Sequence, residues 1–301
     1  MIRTSEPPVF RFAPTPNGRL HLGHAYSALM NERAAQRFGG RLLLRMEDLD
    51  RSRCKLEYEQ GALEDLGWLG VAFDSPLSRQ SERVADYANA YRALGKLGAL
   101  YPCYCAKSEV EKAWRAGGCG LDPDGQPLYP GTCRALKPVE RAMRAASRRP
   151  PTLRLDMGRA LALTPVDLFF SEFGEGDEER LERANPAAWG DVALKRRGAP
   201  ATYHVAVVVD DQLQRITDVV RGRDLFAATS LHRLLQHLLA IDPPRYRHHR
   251  LVLDAKGEKM SKSAAATPLA QLRSQGTSPT EIRAALGFGA VGADRLSVRF
   301  S

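Results

Sequence analysis

Long hydrophobic runs are missing from this 301-residue sequence. No apolar stretch approaches the roughly 20 residues that a membrane-spanning helix needs. Residues 1 to 8, MIRTSEPP, lack the apolar core of a secretory signal peptide. Internal repeats and low-complexity tracts are also absent. With 44% hydrophobic residues, the chain has the composition of a globular protein of one large or two modest domains, and we expect it to be cytoplasmic, with no membrane partner.

Cysteine is scarce, and its number is odd. The five cysteines cannot all be paired with one another, and disulfides are rare in cytoplasmic proteins. Four of them, Cys103, Cys105, Cys119 and Cys133, fall in one short segment. This grouping indicates a metal site rather than a disulfide framework.

Acidic residues are too few to balance the basic ones. The chain has 44 Lys and Arg against 35 Asp and Glu, which gives a net charge of +9 and a pI near 9.5. A cationic surface attracts polyanions by electrostatic steering and by counterion release. The composition suits a nucleic-acid partner, although many basic proteins bind none.

The segment His21-Leu-Gly-His24 stands where a helix is predicted to begin. Residues 9 to 12 are β-prone, prolines and an Asn-Gly pair then break the strand, and apolar residues recur at helical spacing from Leu22 onward. Free N–H groups and the dipole favour a phosphate at a helix N-terminus, and two imidazoles would add donors. Gly23 would let a flat base lie close to the backbone. Two histidines at this spacing also occur by chance.

A second basic motif, Lys259-Met-Ser-Lys-Ser263, follows a predicted strand and a glycine-containing loop. Lys259 and Lys262 could neutralise a triphosphate as its pyrophosphate leaves. By itself, a basic loop is usually a solvated surface turn. In this order, however, the HxGH and KMSKS sequences resemble the paired signature of class I aminoacyl-tRNA synthetases. The resemblance implies an α/β fold, with a doubly wound parallel sheet of the Rossmann type that binds ATP at its switch point.

The same resemblance implies roles for these motif residues. His21, His24, Lys259 and Lys262 would be catalytic, and His21, Gly23, His24 and Lys262 would bind ATP. Mg²⁺ would accompany the ATP.

Two further motifs are similar to the glutamyl branch of this class, whose pattern is RFAPSPTG…RIEDLD. The chain has RFAPTPNG at residues 11–18 and RMEDLD at 45–50, the latter at the end of a predicted buried strand, 42–46. Thr15 replaces the usual serine and keeps its hydroxyl. The resemblance implies that Arg11 and Thr15 bind glutamate, together with Phe12, Ala13 and Pro14, and that Glu47 holds its ammonium group.

The apolar run Val205–Val209 predicts a buried parallel strand, because four of its five residues are β-branched. The segment 216–225 predicts another strand, which leads into the pair Arg221-Gly222. Arg221 there could hold a carboxylate bidentately, or form a surface ion pair.

These strands resemble the glutamyl-branch pattern YQLAVVVDD…ITHVVRGxDL. By this resemblance, Tyr203 and Arg221 complete the glutamate site. The chain departs from the pattern at His204 and Asp218, where glutamine and histidine are usual.

The cysteine-rich segment predicts one zinc ion of structural type, because four protein ligands leave no open position. Cys103, Cys105 and Cys133 would supply three thiolates. For the fourth ligand, the chemistry of the residues favours Cys119. The sequence Tyr129-Pro-Gly-Thr-Cys133-Arg, however, resembles the Tyr-x-x-x-Cys-Arg of short glutamyl-queuosine tRNA(Asp) synthetases, which implies Tyr129. We expect Cys103, Cys105, Tyr129 and Cys133, with Cys119 as the alternative.

The domain organisation follows from these motifs. We expect the two halves of the catalytic domain at 1–100 and 151–265, a zinc-binding insertion with a basic connector at 101–150, and a short helical segment at 266–301. Helices are predicted within 55–100, from about 231 to 239, and near 268–274 and 279–286, while the acidic stretch 171–182 predicts a surface loop. We expect no anticodon-binding domain, which fits the short paralogues rather than full glutamyl-tRNA synthetases.

The resemblance implies a ligase that activates L-glutamate with ATP and transfers it to queuosine in the anticodon of tRNA(Asp). We expect a monomer, although no motif reports the oligomeric state. Three alternatives remain open at this point. A minimal enzyme could charge the 3′ end of tRNA(Glu), a nucleotidyltransferase could act on a small molecule, or an inactive homologue could only bind tRNA.

Overall fold

The computed structural model describes residues 6–146, 150–175, 178–254, 257, 260, 266–289 and 298–301. None of the helices in these ranges combines the length and the apolar character that crossing a membrane requires. The strands are β1 (Val9–Phe12), β2 (Arg41–Met46), β3 (Ser78–Arg79), β4 (Leu100–Cys103), β5 (Thr152–Leu155), β6 (Phe169–Phe173), β7 (Glu179–Arg183), β8 (Ala193–Lys195), β9 (Asp218–Gly222), β10 (Arg245–His249), β11 (Val252–Leu253) and β12 (Arg299–Phe300). The α-helices are α1 (Leu22–Arg37), α2 (Leu56–Leu69), α3 (Val84–Lys96), α4 (Lys107–Arg115), α5 (Pro138–Ala145), α6 (Met157–Ala162), α7 (Tyr203–Leu213), α8 (Ala228–Leu238), α9 (Leu269–Ser274) and α10 (Pro279–Ala285).

Parallel strands from both halves of the chain meet at the centre of the molecule. One group has the order β1-β2-β3 and the other β7-β6-β10-β9, with every pairing parallel except β6 with β7. β1 lies beside β9, where the Thr217 N–H donates to the Val9 carbonyl at 3.0 Å. The predicted α/β fold with a parallel sheet is confirmed.

Helix α1 begins and ends where its sequence predicts. His21 is its N-cap, with extended backbone angles, and the helix gives way to Gly39 at φ +60°. Gly40 is needed for close packing, because a Cβ there would lie 2.5 Å from the Pro8 carbonyl oxygen. The residues that precede β1 and β2 therefore pack closely against each other.

The strand predicted at Val205–Val209 is wrong, because these residues lie in helix α7. All of them are buried, packed with residues of α3 and α8 such as Tyr87, Leu231 and Leu235. A fully buried apolar run carries no periodicity that separates strand from helix, so tertiary packing overrides the β preference of valine. The helical spacing has a functional consequence: Asp210 and Asp211 both turn toward charged partners from the first half of the chain.

The surface loop predicted at 171–182 is also wrong in its main part. β6 and β7 form an antiparallel hairpin there, and β6 also pairs with β10. Phe170 and Phe173 on β6 are buried, whereas the side chains of β7 are largely exposed. Two of the acidic residues that predict a loop, Glu179 and Glu182, lie instead on the edge strand β7.

The other predicted elements are confirmed. β2 contains the predicted strand 42–46, β9 lies within the predicted segment 216–225, and α2, α3, α8, α9 and α10 occupy their predicted segments. The strands β4, β5 and β8 form a separate antiparallel sheet in the order β4-β5-β8. Its strand β4 ends at Cys103.

Candidate active site

The HxGH turn caps the start of α1 with its own side chains. His21 Nδ1 accepts the Gly23 N–H at 3.1 Å, and His24 Nδ1 accepts the His21 N–H at 3.2 Å. Because each Nδ1 is an acceptor, each neutral ring carries its proton on Nε2. A Cβ at residue 23 would lie 3.0 Å from His21 Cε1, so glycine leaves room for this ring. The turn therefore presents two imidazole donors at a helix N-terminus.

Part of the KMSKS motif lies beside this turn. Met260 packs against the core around α1, and its N–H donates to the Val252 carbonyl at 3.2 Å. A Cβ on Gly23 would lie 4.0 Å from Met260 Cβ. The two predicted catalytic lysines, Lys259 and Lys262, fall outside the described residues.

A buried ionic cluster joins the ends of β1 and β2 to α7. Arg11 Nε donates to Asp211 Oδ1 at 3.1 Å, and Arg45 Nη1 donates to the same oxygen at 2.8 Å. Arg45 also approaches Glu47 at 3.6 Å and Asp210 at 3.8 Å. Arg11 and Glu47, predicted from separate motifs, thus belong to one network.

Burial and neighbouring charges shift the pKa values in this cluster in opposite directions. Burial raises the pKa of Glu47, although Arg45 and Arg11 oppose the shift. Burial likewise raises the pKa of Asp210. For Asp211, the effect of burial is outweighed by Arg11 and Arg45, which hold its pKa below the ordinary value. Asp211 is therefore the carboxylate that neutralises the two arginines most directly.

Arg221 lies at the end of β9 and is 5% exposed. Its Nη1 donates to the Tyr203 hydroxyl at 3.3 Å and to His232 Nδ1 at 3.2 Å. Its Nη2 donates to Thr229 Oγ1 at 2.7 Å, and its Nε to His248 Nε2 at 3.1 Å. The structure thus brings the predicted residues Tyr203 and Arg221 into direct contact.

The two departures from the glutamyl-branch pattern differ in position. His204 Nδ1 lies 3.2 Å from His232 Nε2, so His204 contacts a residue that holds Arg221. Burial lowers the pKa of His204 to about 4, and Arg221 contributes in the same direction. Asp218, at the opposite end of β9, forms an ion pair with Arg245 and does not line the cleft.

One open cleft of about 2010 Å³ connects these groups. Its lining includes the HxGH turn and two members of the ionic cluster, Arg11 and Glu47, and it extends to the cysteine segment. The predicted site residues that line it are Arg11, Phe12, Ala13, Pro14, Thr15, His21, Gly23, His24, Glu47, Cys105, Tyr129, Tyr203 and Arg221. The cleft therefore offers hydrogen-bond donors for a phosphate at the N-terminus of α1, and it offers positively and negatively charged side chains nearby.

Three of the predicted metal ligands converge at the end of β4. The Sγ atoms of Cys103, Cys105 and Cys133 all lie within 4.8 Å of one another, and those of Cys105 and Cys133 are 3.6 Å apart. The Tyr129 hydroxyl lies 3.4 Å from Cys105 Sγ and accepts the Cys133 N–H at 2.7 Å. Cys119, also a described residue, is not part of this group.

This donor set fits a tetrahedral zinc ion. Zn–S bonds of about 2.3 Å place two thiolates of a tetrahedron roughly 3.8 Å apart, close to the Cys105–Cys133 separation. Burial raises the pKa of Cys105 to about 11 and that of Tyr129 as well. Burial would also raise that of Cys133, but hydrogen bonds from Tyr129 and the Tyr104 amide lower it to about 7. A divalent cation would favour deprotonation of all four ligands.

Comparison with known proteins identifies the family. Residues 9–291 match the model described as tRNA synthetases class I (E and Q), catalytic domain. The chain belongs to this family. It is thus a ligase of the aminoacyl-tRNA synthetase type.

Several relatives of this class I synthetase match most of the chain. The Glutamyl-Q tRNA(Asp) synthetase of Rhodobacter capsulatus is 41% identical, over 93% of this chain and 99% of its own length. The protein of the same name from Symbiobacterium thermophilum is 39% identical, over 90% and 83%. Glutamate–tRNA ligase 2 of Syntrophus aciditrophicus is 33% identical, over 91% and 56%.

A solved structure shows the same fold. The glutamate-tRNA synthetase of Elizabethkingia anophelis superposes with a TM-score of 0.74 at 24% identity, covering 93% of this chain. This class I synthetase spans 61% of that structure's length.

Sequence reasoning did not identify the partners that hold the predicted residues in place. Arg45, Asp211, His232 and His248 were not singled out as site residues. A signal existed for Arg45, which interrupts the apolar run of β2. No such signal existed for His232 and His248, because their contacts with Arg221 join α8 and β10 to β9.

Proposed function

We propose that this chain activates L-glutamate with ATP and transfers it to the queuosine base of tRNA(Asp). The observation that carries the proposal is the joining of the HxGH turn and the Arg11–Glu47–Tyr203–Arg221 group in one cleft. The residue roles, the zinc ion and the division of the chain at residues 100, 150 and 265 are parts of the same proposal.

The charges of the cleft match those of glutamate. Arg11 and Arg221 supply the positive charge that its carboxylates need, and Glu47 supplies negative charge for its ammonium group. The Nε2 protons of His21 and His24 would meet phosphate oxygens of ATP. The adenine ring would lie beside Gly23, which has no side chain.

Activation follows from this placement. An oxygen of the glutamate α-carboxylate attacks the α-phosphorus, the bond from that phosphorus to the bridging oxygen breaks, and pyrophosphate leaves. This step needs no general base, because a carboxylate is already ionised at neutral pH. His21 and His24 stabilise the charge that moves onto the phosphates, and Lys259 and Lys262 are proposed to assist. Mg²⁺ bound to ATP supplies further charge neutralisation.

Transfer is a second displacement at the activated carbonyl carbon. A hydroxyl of the queuosine cyclopentenediol attacks that carbon, AMP leaves, and the hydroxyl proton passes to solvent. Zinc held by Cys103, Cys105, Tyr129 and Cys133 would stabilise the wall of the cleft without taking part in either step.

The names of the relatives support queuosine in tRNA(Asp) as the acceptor. Those called Glutamyl-Q tRNA(Asp) synthetase reach 41% identity, against 33% and 36% for two called Glutamate–tRNA ligase 2. The second group favours the competing function, in which the 3′ end of tRNA(Glu) is the acceptor. Both functions share the activation step, so acceptor identity must be measured directly.

The test combines radiolabelled glutamate and ATP with three RNAs: tRNA(Asp) with queuosine, tRNA(Asp) without it, and tRNA(Glu). After nuclease digestion, the label is mapped to the anticodon fragment or to the 3′-terminal adenosine. We expect label only on the anticodon fragment of the queuosine-containing tRNA. A tRNA whose 3′-terminal ribose has been removed should be labelled equally well.

Label on the 3′ end of tRNA(Glu) would instead make this a minimal glutamyl-tRNA synthetase. Absence of glutamate-dependent exchange between ATP and pyrophosphate would contradict the activation step itself.

A further inference from the structure

Arg221 has protein partners for all of its N–H groups. A guanidinium carries five such groups. Besides Tyr203, His232, Thr229 and His248, the Leu225 carbonyl accepts from Nη2 at 3.2 Å. The five acceptors are a phenol, a hydroxyl, a carbonyl and two imidazoles, and none is a carboxylate. The arginine is thus fixed in position while its charge stays available to a ligand.

The contacts determine the tautomers of both histidines. Arginine cannot accept a hydrogen bond, so His232 Nδ1 and His248 Nε2 must be the acceptors. His232 then carries its proton on Nε2 and donates it to His204 Nδ1 at 3.2 Å. His248 carries its proton on Nδ1 and donates it to Glu172 Oε2 at 2.8 Å. The neutral ring of His248 therefore lies between the Glu172 carboxylate and Arg221.

The electrostatics keep both rings neutral. Burial is the largest cause that lowers the pKa of His232, followed by the charge of Arg221. Burial also lowers the pKa of His248, although its bond to Glu172 acts in the other direction. A proton on either accepting nitrogen would face an arginine N–H, so the arrangement requires neutral imidazoles.

We propose that His232 and His248 are positioning residues for substrate recognition: as neutral acceptors they orient Arg221 and leave its charge for a carboxylate of the amino-acid substrate. This inference rests on the proposed function. The contact most easily exchanged is the one from Nη1 to the Tyr203 hydroxyl, which is the longest of the five at 3.3 Å. Arg221 and Tyr203 both line the cleft, so the incoming carboxylate would accept the hydrogen bond from Nη1 in place of Tyr203, and would accept a second hydrogen bond from the Tyr203 hydroxyl.

The test changes the charge that faces Arg221 while keeping its hydrogen bond. In His232→Asp, a carboxylate would pair with Arg221 and compete with the substrate. In His232→Asn, the amide oxygen is a neutral acceptor close to the position of Nδ1. His237→Asp on the same helix is the matched control, because that side chain is exposed.

The measurement is ATP–pyrophosphate exchange, with KM determined separately for glutamate and for ATP, and with unfolding midpoints recorded. We expect His232→Asp to raise the glutamate KM at least about tenfold with the ATP KM little changed. His232→Asn should stay within about threefold of the wild type, as should His237→Asp.

Two results have distinct meanings. If His232→Asp and His232→Asn lower stability or kcat equally and leave the glutamate KM unchanged, His232 is merely a packing residue and the inference is wrong. If the wild type shows no glutamate-dependent exchange, the proposed function itself is wrong.

Discussion

Glu47 is the acidic residue of the cleft on which recognition of an amino group depends in the proposed function. Its side chain is 13% exposed and lies 3.6 Å from Arg45. Burial raises its pKa, and the neighbouring arginines counteract only part of that shift. A carboxyl group with a raised pKa loses its charge at a higher pH than an ordinary glutamate, whose pKa is about 4.3.

This shift predicts the pH dependence of substrate binding. Glu47 is charged above its raised pKa and neutral below it, so the glutamate KM should rise as pH falls, beginning above the ordinary carboxylate range. Glu47→Gln removes the charge at every pH and should raise the KM about 10-fold to 100-fold at pH 7. Exchange kinetics between pH 5 and 8 measure both effects. An equally steep acid limb in the variant would assign the titration to another group.

At the scale of elements, the segment that follows β4 brings three of its cysteines together in one cluster. α4 and α5 bury none of their residues fully, and Cys103, Tyr129 and Cys133 form their own small buried cluster with Tyr101. Such a short segment has little apolar area to stabilise it, so a metal ion would contribute much of its order.

Metal content tests this interpretation. We expect the purified chain to hold one zinc ion, measured by elemental analysis. Cys133→Ser should hold much less zinc and unfold several degrees lower, because a buried ligand is lost. Cys119→Ser is the matched control and should retain zinc and stability, since Cys119 lies outside the cluster. Zinc loss in the Cys119 variant instead would restore the tetrathiolate alternative.

At the scale of the whole molecule, buried charges connect the two halves of the chain. Arg45 on β2 is fully buried and pairs with Asp210 and Asp211 on α7. Arg11 on β1 joins the same network. These contacts fix the position of α7, and therefore of Tyr203, relative to the HxGH turn.

Removing Arg45 should consequently destabilise the entire fold. Arg45→Met removes the arginine that pairs with Asp210 and one of the two arginines that bind Asp211, and we expect a loss of about 3–5 kcal/mol in the free energy of unfolding, measured with urea. Arg53→Met is the control, because its ion pair with Asp50 is exposed, and it should change stability by less than about 0.5 kcal/mol. Similar losses in both variants would show that the buried network contributes nothing specific.

Local features were predictable because neighbouring residues determine them. The helix start at His21, its end before Gly39 and the buried strand β2 follow from turn residues and apolar spacing. The order of the HxGH and KMSKS motifs, by its resemblance to a known signature, already indicated the family.

Only the tertiary structure decided what depends on distant contacts. Val205–Val209 is helical because α3 and α8 enclose it, and a uniformly apolar run cannot encode that choice. Tyr129, rather than Cys119, lies beside the thiols because the loop returns to the end of β4. The sequence determined which side chains are available for chemistry, whereas packing between remote segments decided that Arg221 is held by two neutral histidines, since those contacts join residues up to 27 positions apart.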